Sequence, residues 1–288
     1  MPMTGHHRTG AELPRPLIAV GVPCVGVLLV AFFVARGFPY DELGVAVANR
    51  IERAHGIQLV VGELHPALQL AGPALEGTQV RATFPAKEPL QISRLLARSA
   101  WSLSWLAGEP ALHVELESPV GNADGTLWWG EVTAWKGDIR DARPEQPPIS
   151  DWIPTGRLEG LLEASLDIKM GELGPDGAIA FEIRDGSITL PELRVPLPFE
   201  TLTGELTLGG DAYATVTALS FEGPIVSGSG TGKIGQAATL EQAPLAFEFQ
   251  LNVKPALSGA VRAAGLQVDP EGATAVRVLG TVGRPIIR

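Results

Sequence analysis

The feature that most constrains the fold is an alternation of apolar and polar residues with a period of two, which begins at Ile57 and recurs to the end of the chain. Successive side chains of a β-strand point to opposite faces, so this alternation predicts strands with one apolar face. Clear examples are "IQLVVGEL" from Ile57, "LHVEL" from Leu112 and "AIAFEI" from Ala178. Gly, Pro, Asp or Asn bound most of these segments, as is typical of strands joined by turns.

Eight further segments show the same alternation, and two segments interrupt it. The sequence "LLARSAWSLSWLAG", 95–108, has the spacing of a helical connection. The sequence "RPEQPPISDWIPTG", 143–156, is rich in proline and predicts a linker between two β regions, 57–142 and 157–288. Glycines recur throughout both regions, and long sheets commonly bend at glycine, so we predict one curved antiparallel sheet. The eight further predicted strands are 78–84, 126–135, 158–169, 187–190, 202–208, 214–221, 246–253 and 275–282.

The stretch "VSGSGTGKIG", 226–235, raises the question of nucleotide binding. A phosphate-binding loop reads G-x-x-x-x-G-K-[ST], because backbone N–H groups and the lysine hold phosphates while the hydroxyl reaches Mg²⁺. Here Ser227 stands in place of the first glycine and Ile234 in place of the hydroxyl residue, so the pattern fails at both ends. Residues two apart on a strand share a face, which puts the glycines on one side together. We therefore predict a strand whose bare glycine side lies against another backbone or a bulky residue.

An apolar run without charge precedes the β region. Residues 16–35 read "PLIAVGVPCVGVLLVAFFVA", which is long enough to cross a membrane as a helix. Cleavage after Ala35 would place Phe33 where a signal peptidase requires a small residue, so we predict an uncleaved anchor over 16–36. Residues 1–15 then form a short cytoplasmic tail. Arginines stand on both sides of the run, so the charge count alone leaves the topology open.

A short amphipathic helix is predicted beside the membrane, over residues 37–56. Pro39 suits the start of a helix and Gly56 suits its end. Leu43, Val47 and Ile51 fall on one face of this helix and predict the side that packs.

The composition excludes some classes of function and offers no catalytic motif. The formal charge is −10 and no basic cluster interleaves with aromatic residues, so nucleic-acid binding is not expected. The only cysteine, Cys24, lies in the predicted span, so no disulfide forms within the chain. Histidines stand without metal-site spacing, G-x-S-x-G is absent, and Glu115 with Glu117 fits a solvated strand face. We therefore predict no catalytic, cofactor-binding or metal-binding residue and no enzymatic activity.

The tryptophans concentrate in the middle of the chain. Their pattern has two interpretations: packing in the core and at edge strands, or an aromatic patch that contacts a partner or lipid. The six tryptophans are Trp101, Trp105, Trp128, Trp129, Trp135 and Trp152.

The order of these features resembles a known family. A short tail, one anchor, the "FPYDEL" helix, "RLLARSAWSLSWLAGEPALHVEL" and "FEGPIVSGSGTGKI" resemble the inner-membrane N component of bacterial type II secretion. More distantly, the chain resembles the AsmA-like periplasmic proteins, which also open with an anchor, a helix and short alternating strands. The resemblance implies a curved antiparallel β domain in the periplasm with few short helices. It also implies no catalytic residues, and partners among secretion proteins of the inner membrane or periplasm.

Two classes of function remain open after this comparison. The first is a non-enzymatic assembly or accessory subunit of the secretion machine. The second is a lipid-binding or lipid-transport module between the two membranes, in which a curved sheet shields acyl chains. An open apolar groove would favour the lipid module, whereas inward positions that are covered by a helical segment would favour an ordinary core.

Overall fold

The alternating segments fold into fifteen strands of one sheet, which follow a 16-residue helix, α1 (Tyr40–His55). The computed structural model describes residues 37, 39–69, 72–85, 87–100, 111–129, 133–153, 156–171, 174–189, 196–254, 269 and 272–287. The strands are β1 (Gln58–Val60), β2 (Glu63–Gln69), β3 (Gly72–Thr83), β4 (Leu90–Ser99), β5 (Ala111–Ser118), β6 (Gly121–Trp129), β7 (Thr133–Ala142), β8 (Arg157–Gly171), β9 (Gly174–Thr189), β10 (Leu197–Leu208), β11 (Ala214–Glu222), β12 (Val226–Ile234), β13 (Pro244–Val253), β14 (Ala273–Thr281) and β15 (Arg284–Ile287).

The sheet is an antiparallel meander. From β3 to β15 each strand pairs with the strand that follows it in sequence, and β1 and β2 both pair with β3. The short strand β1 lies along the last residues of β3, while β2 lies along its first half. Because neighbouring strands run in opposite directions, successive turns lie at alternating rims of the sheet. The prediction of a mainly β, antiparallel domain is confirmed.

Four predictions differ from the structure. The strand predicted from Ile57, "IQLVVGEL", is interrupted, because β1 ends at Val60 and β2 begins at Glu63. The segments 178–183 and 187–190, predicted as separate strands, both belong to β9, which ends at Thr189.

The helix predicted over 95–108 is wrong in its first part, because this part belongs to strand β4, where Leu95 pairs with Leu116 of β5. Partners on both sides of a strand override a local helical spacing. Residues 101–110 lie outside the described residues. The single strand predicted over 126–135 is two strands, β6 and β7, separated by residues 130–132.

The helix predicted over 37–56 corresponds to α1. Pro39 precedes it, and Gly56 ends it in the left-handed conformation (φ 69°), which glycine adopts without steric cost. The packed face agrees with the predicted one in part, since Gly44 is buried and Ile51 is half-buried, whereas Val47 is 37% exposed. A Cβ at Gly44 would lie 3.7 Å from the side chain of Leu64 on β2. That distance is an ordinary van der Waals contact, so the helix packs beside β2 at Gly44.

The pairing register sorts the side chains into two faces. Directly paired residues of neighbouring antiparallel strands point to the same side of a sheet. One such row across β7 to β14 contains only apolar residues and glycine, while the rows beside it are rich in serine, threonine and charge. We call the side of this row the apolar face and the opposite side the polar face. The row consists of Ile139, Ala164, Phe181, Gly204, Leu219, Gly230, Phe249 and Val276.

Buried side chains form several small clusters along the sheet rather than one central core. The first cluster, near β1, centres on Val80 and Ile92. The second includes Ile183 on β9 and Phe199 on β10, and the third joins Val226 and Val253 of β12 and β13. Each cluster brings together strands that are near neighbours in the meander. The packing is therefore mostly local along the sheet.

The proline-rich segment 143–156 connects β7 to β8, which pair directly with each other. Within it, Ser150–Trp152 forms one turn of 3-10 helix. The Asp151 carboxylate accepts a hydrogen bond from the backbone N–H of Glu88 at 3.1 Å, and the Asp151 carbonyl accepts one from the Lys87 ammonium. These bonds attach the segment to the connection between β3 and β4.

The predicted membrane anchor over 16–36 and the tail over 1–15 lie outside the described residues. Among the residues that are described, no helix combines the length and the apolar character that crossing a membrane requires.

Candidate functional site: a polar groove across eight strands

A groove with a volume of about 950 Å³ crosses eight consecutive strands, β7 to β14. Each strand contributes residues from its middle, and these residues are neighbours in the pairing register. Seven inter-strand spacings of about 4.8 Å give the groove a length of about 34 Å. Its position therefore follows from the meander, which places eight strand centres side by side.

The alternation of side chains determines the face on which the groove opens. On β10, the lining residues are Thr203, Gly204 and Glu205, whereas Leu202 and Leu206 do not line it. The two leucines share the apolar face with Gly204, while Thr203 and Glu205 point to the polar face. The same pattern recurs on the other strands. The groove therefore lies on the polar face, and the backbone of the apolar row forms its floor.

The lining residues carry an excess of negative charge. Five carboxylates and two guanidinium groups belong to them. Two of the carboxylates have a basic neighbour in the lining, since Arg277 Nε lies 3.0 Å from Glu248 Oε1 and Arg140 Nη2 lies 3.6 Å from Asp138 Oδ2. Glu205 takes part in none of the ion pairs found among the described residues. A groove of this charge favours cationic groups on whatever binds there.

One further arginine bridges two carboxylates of the groove. Glu163 and Glu182 face each other directly in the pairing of β8 with β9. Arg184 contacts Glu163 through Nη2 and lies 3.6 Å from Glu182 Oε1 through Nε. Like charges in directly opposed positions destabilise a sheet. Arg184 offsets this repulsion, because its guanidinium group lies next to both carboxylates.

Neutral polar side chains supply the remaining hydrogen-bonding capacity. Hydroxyl groups both donate and accept, so they suit a ligand with alternating donors and acceptors, such as a peptide backbone. In the groove, the Thr217 hydroxyl donates a hydrogen bond to the backbone carbonyl of Glu205 at 3.2 Å, so its partner in this bond is an uncharged group. The neutral polar lining residues are Ser165, Thr203, Thr217, Ser220, Ser229, Thr231 and Gln250.

A second group of polar side chains lies on β5 and β6. His113 Nε2 is 3.1 Å from Asp124 Oδ2 and 3.5 Å from Glu115 Oε1. One potential metal-ligand atom of each of these three residues therefore lies within 4.8 Å of the other two. Arg98 Nε also lies 4.0 Å from Glu115 Oε1, so this carboxylate already has a cationic neighbour. The sequence predicts that His113 stands alone, and it gives no indication that Asp124 lies beside it. Only the pairing of Glu115 with Asp124 across the strands brings these groups together.

Glu117, which was predicted to lie on a solvated face with Glu115, is exposed and forms an ion pair with Arg94. Arg94 Nε donates to Glu76 Oε1 at 2.6 Å, and its Nη1 donates to Glu117 Oε1 at 3.2 Å. The hydrogen bond with Glu76, and then the one with Glu117, raise the pKa of Arg94 above its already high ordinary value. These carboxylates therefore stabilise a positive charge on the polar face.

The stretch 226–235 is found as a strand, as predicted, and forms β12. Ser229, Gly230 and Thr231 line the groove, while Lys233 Nζ lies 3.3 Å from Asp211 Oδ2 at the exposed end of the strand. The bare side of Gly230 faces the ring of Phe249. The prediction that a bulky residue covers the glycines is therefore confirmed.

The tryptophans do not form one patch where their side chains are described. Trp135 pairs with Leu127, and Trp128 pairs with Ala134, so the two tryptophans lie on opposite faces of the sheet. Both are half-buried. The remaining four tryptophan side chains lie outside the description.

No family model matches this chain, and no curated protein or solved structure shows significant similarity to it.

Proposed function

We propose that this chain is a non-enzymatic component of the bacterial type II secretion system, anchored in the inner membrane with its β-sheet in the periplasm. Its role is in the assembly or support of the machine. The order of a predicted span, α1 and a meander of strands supports this proposal, because it is the order that the resemblance implies. The localisation rests on the predicted span.

The observation that carries the proposal is the groove on the polar face. Its length of about 34 Å matches about ten residues of an extended chain. Its hydroxyl groups and carboxylates come from eight different strands. Such a surface suits a long, thin polar ligand better than a compact substrate. We assign to it an extended segment of a partner protein that carries lysine or arginine.

The second candidate function is a lipid-handling module of the AsmA-like type. The apolar face favours it, because apolar residues and glycine continue without interruption across β7 to β14. The helix α1 packs against β1 and β2, at the far end of the sheet from this row. In this alternative, acyl chains bind the apolar face and the groove has no ligand.

Site-specific photocrosslinking in living cells separates the two candidates. A photoreactive benzoyl-phenylalanine at Thr203 lies in the groove, and one at Thr207 is the matched control. Both threonines are exposed on the polar face of β10, but Thr207 does not line the groove. We expect a crosslink to a secretion-system protein from Thr203 and none from Thr207. Lipid adducts from a probe at Phe249 on the apolar face, without a protein adduct from Thr203, would instead establish the lipid module.

A further inference from the structure

Exposed apolar side chains concentrate at one rim of the sheet. The rim is the one at which β2 joins β3, β8 joins β9, β10 joins β11, β12 joins β13 and β14 joins β15, and we call it the hairpin rim. Among the described residues, nine large hydrophobic side chains are exposed, and six of them lie in these turns or within three residues of them. The six are Leu68, Met170, Tyr213, Leu240, Leu279 and Ile286.

The opposite rim differs in this respect. Its described connections are 56–57, 84–85 with 87–89, 119–120, 143–153 with 156, 196, 223–225, and 254 with 269 and 272. None of the nine exposed hydrophobic side chains lies in them, and only Val60 lies within three residues of one. Single exposed apolar residues are ordinary, but a series along one rim indicates a contact surface.

The start of α1 faces the same rim. The chain leaves α1 at Gly56, enters β1 and then runs through β2 to the hairpin rim. Since α1 lies back along these strands, with Gly44 beside Leu64, its first residue points toward the hairpin rim. The uncharged run of the predicted anchor ends at Ala35, five residues before Tyr40. The helix therefore begins on the hairpin-rim side of the sheet.

The exposed large hydrophobic side chains of α1 lie in its first half, as far as its side chains are described. Val45 is 61% exposed and Val47 is 37% exposed there, beside the exposed Glu42. In its second half, the exposed residues include Glu52 and Arg53. The exposed valines therefore lie in the half of the helix that is nearer the hairpin rim.

We propose that the hairpin rim rests on the surface of the membrane that the span crosses, with its apolar side chains in the interfacial layer of the lipids. This inference rests on the membrane anchor of the proposed function. Tyrosine and aliphatic side chains at turn tips suit this layer, because part of each turn stays hydrated. The charges at the same turns are of both signs, so we assign the contact to apolar burial rather than to attraction by anionic lipid. Among the described residues of these turns, the charges are Lys169, Lys233, Arg284, Asp176, Asp211 and Glu241.

Fluorescence quenching by spin-labelled lipids tests the contact in the full chain. Cys24 is the only cysteine, so Cys24→Ser gives a background for single labels. A bimane label is placed at Met170→Cys or Leu240→Cys on the hairpin rim. The matched controls are Glu88→Cys and Pro224→Cys, which replace exposed residues on the opposite rim. Each variant is reconstituted into phosphatidylethanolamine and phosphatidylglycerol vesicles that contain doxyl lipids.

We expect a loss of emission at the two hairpin-rim positions, unchanged by high salt, and none at the two control positions. Co-flotation with the vesicles is measured on the same samples. If the chain floats but all four labels emit alike, the rim contact is wrong and the anchor stands. If the chain does not float, both the anchor and the rim contact are overturned.

Discussion

Phe249 lies directly across from Gly230 in the pairing of β12 with β13, and its ring occupies the space that a side chain at Gly230 would need. A Cβ at Gly230 would lie 2.5 Å from Phe249 Cδ1. Phe247 covers Gly232 in the same way, and the two rings are stacked with their centroids 5.9 Å apart. The alternating glycines of β12 therefore accommodate a pair of aromatic rings on the next strand.

Replacement of Gly230 by valine should destabilise the fold. The branched side chain must displace the ring of Phe249, and overpacking of this kind costs about 1–3 kcal/mol. The control is Lys233→Ala on the same strand, because Lys233 and Asp211 form an exposed ion pair, which contributes little to stability. Thermal unfolding of the purified chain measures both variants. A Gly230→Val variant that is as stable as the parent would show that the glycines are not needed for close packing.

Removal of a buried side chain from the second cluster should cost more than removal of an exposed one. Ile183 is 2% exposed, whereas Val60 is 60% exposed. Ile183→Ala leaves a cavity beside Phe199 and should lower the free energy of unfolding by about 2–5 kcal/mol. Val60→Ala should have only a small effect. Equal losses of stability in denaturant titrations would mean that this cluster is not a well-packed part of the sheet.

Loss of Arg184 should expose the repulsion between Glu163 and Glu182. Arg184→Gln is expected to destabilise the chain by about 0.2–1 kcal/mol, because the two carboxylates then face each other without a cation, in a partly solvated position. Glu163→Gln in addition to Arg184→Gln should restore part of this loss. The double variant is measured beside both single variants by the same unfolding assay. Additive losses would indicate that the three side chains are not coupled.

The stretch 226–235 should not bind a nucleotide. Its lysine pairs with Asp211, and its backbone N–H groups belong to a strand that is paired on both sides. Titration calorimetry of the purified chain with ATP, GTP and NAD should therefore detect no binding. Micromolar affinity that is lost in Lys233→Ala would contradict the purely structural role of this strand.

The sequence predicted the fold class because the alternation is a local property of each strand. Most strands were placed within a few residues, and Gly56 correctly marked the end of α1. The helix expected from Leu95 onward was wrong, because its apolar spacing fits both periods and only the partners on β3 and β5 decide between them. Similarly, the apolar alternation continues past Trp129, so the sequence alone did not show that β6 ends there.

The groove could not be predicted from the sequence. Its residues come from eight strands, four from β11 and three from each of the others, and these short groups are separated along the chain by residues that do not line the groove. Thr203 and Glu248 line the same groove only because β10, β11, β12 and β13 pair in a particular register. The glycine stretch gave a partial signal, since it marked a strand with one bare side. It did not indicate that the polar side would line a groove.

The most direct test of the proposed function is the export of type II substrates by cells whose own copy is deleted and replaced by a variant. Glu205→Lys reverses a charge in the groove, and Glu222→Lys is its control, an exposed residue on the adjacent strand outside the groove. We predict that the deletion reduces the amount of type II substrates in the culture supernatant. Glu205→Lys should reduce it as well, whereas Glu222→Lys, at the same protein level, should leave export unchanged. General growth should be unaffected in all strains. Unchanged supernatant proteins in the deletion strain, together with altered outer-membrane permeability, would contradict the secretion role and support the lipid module.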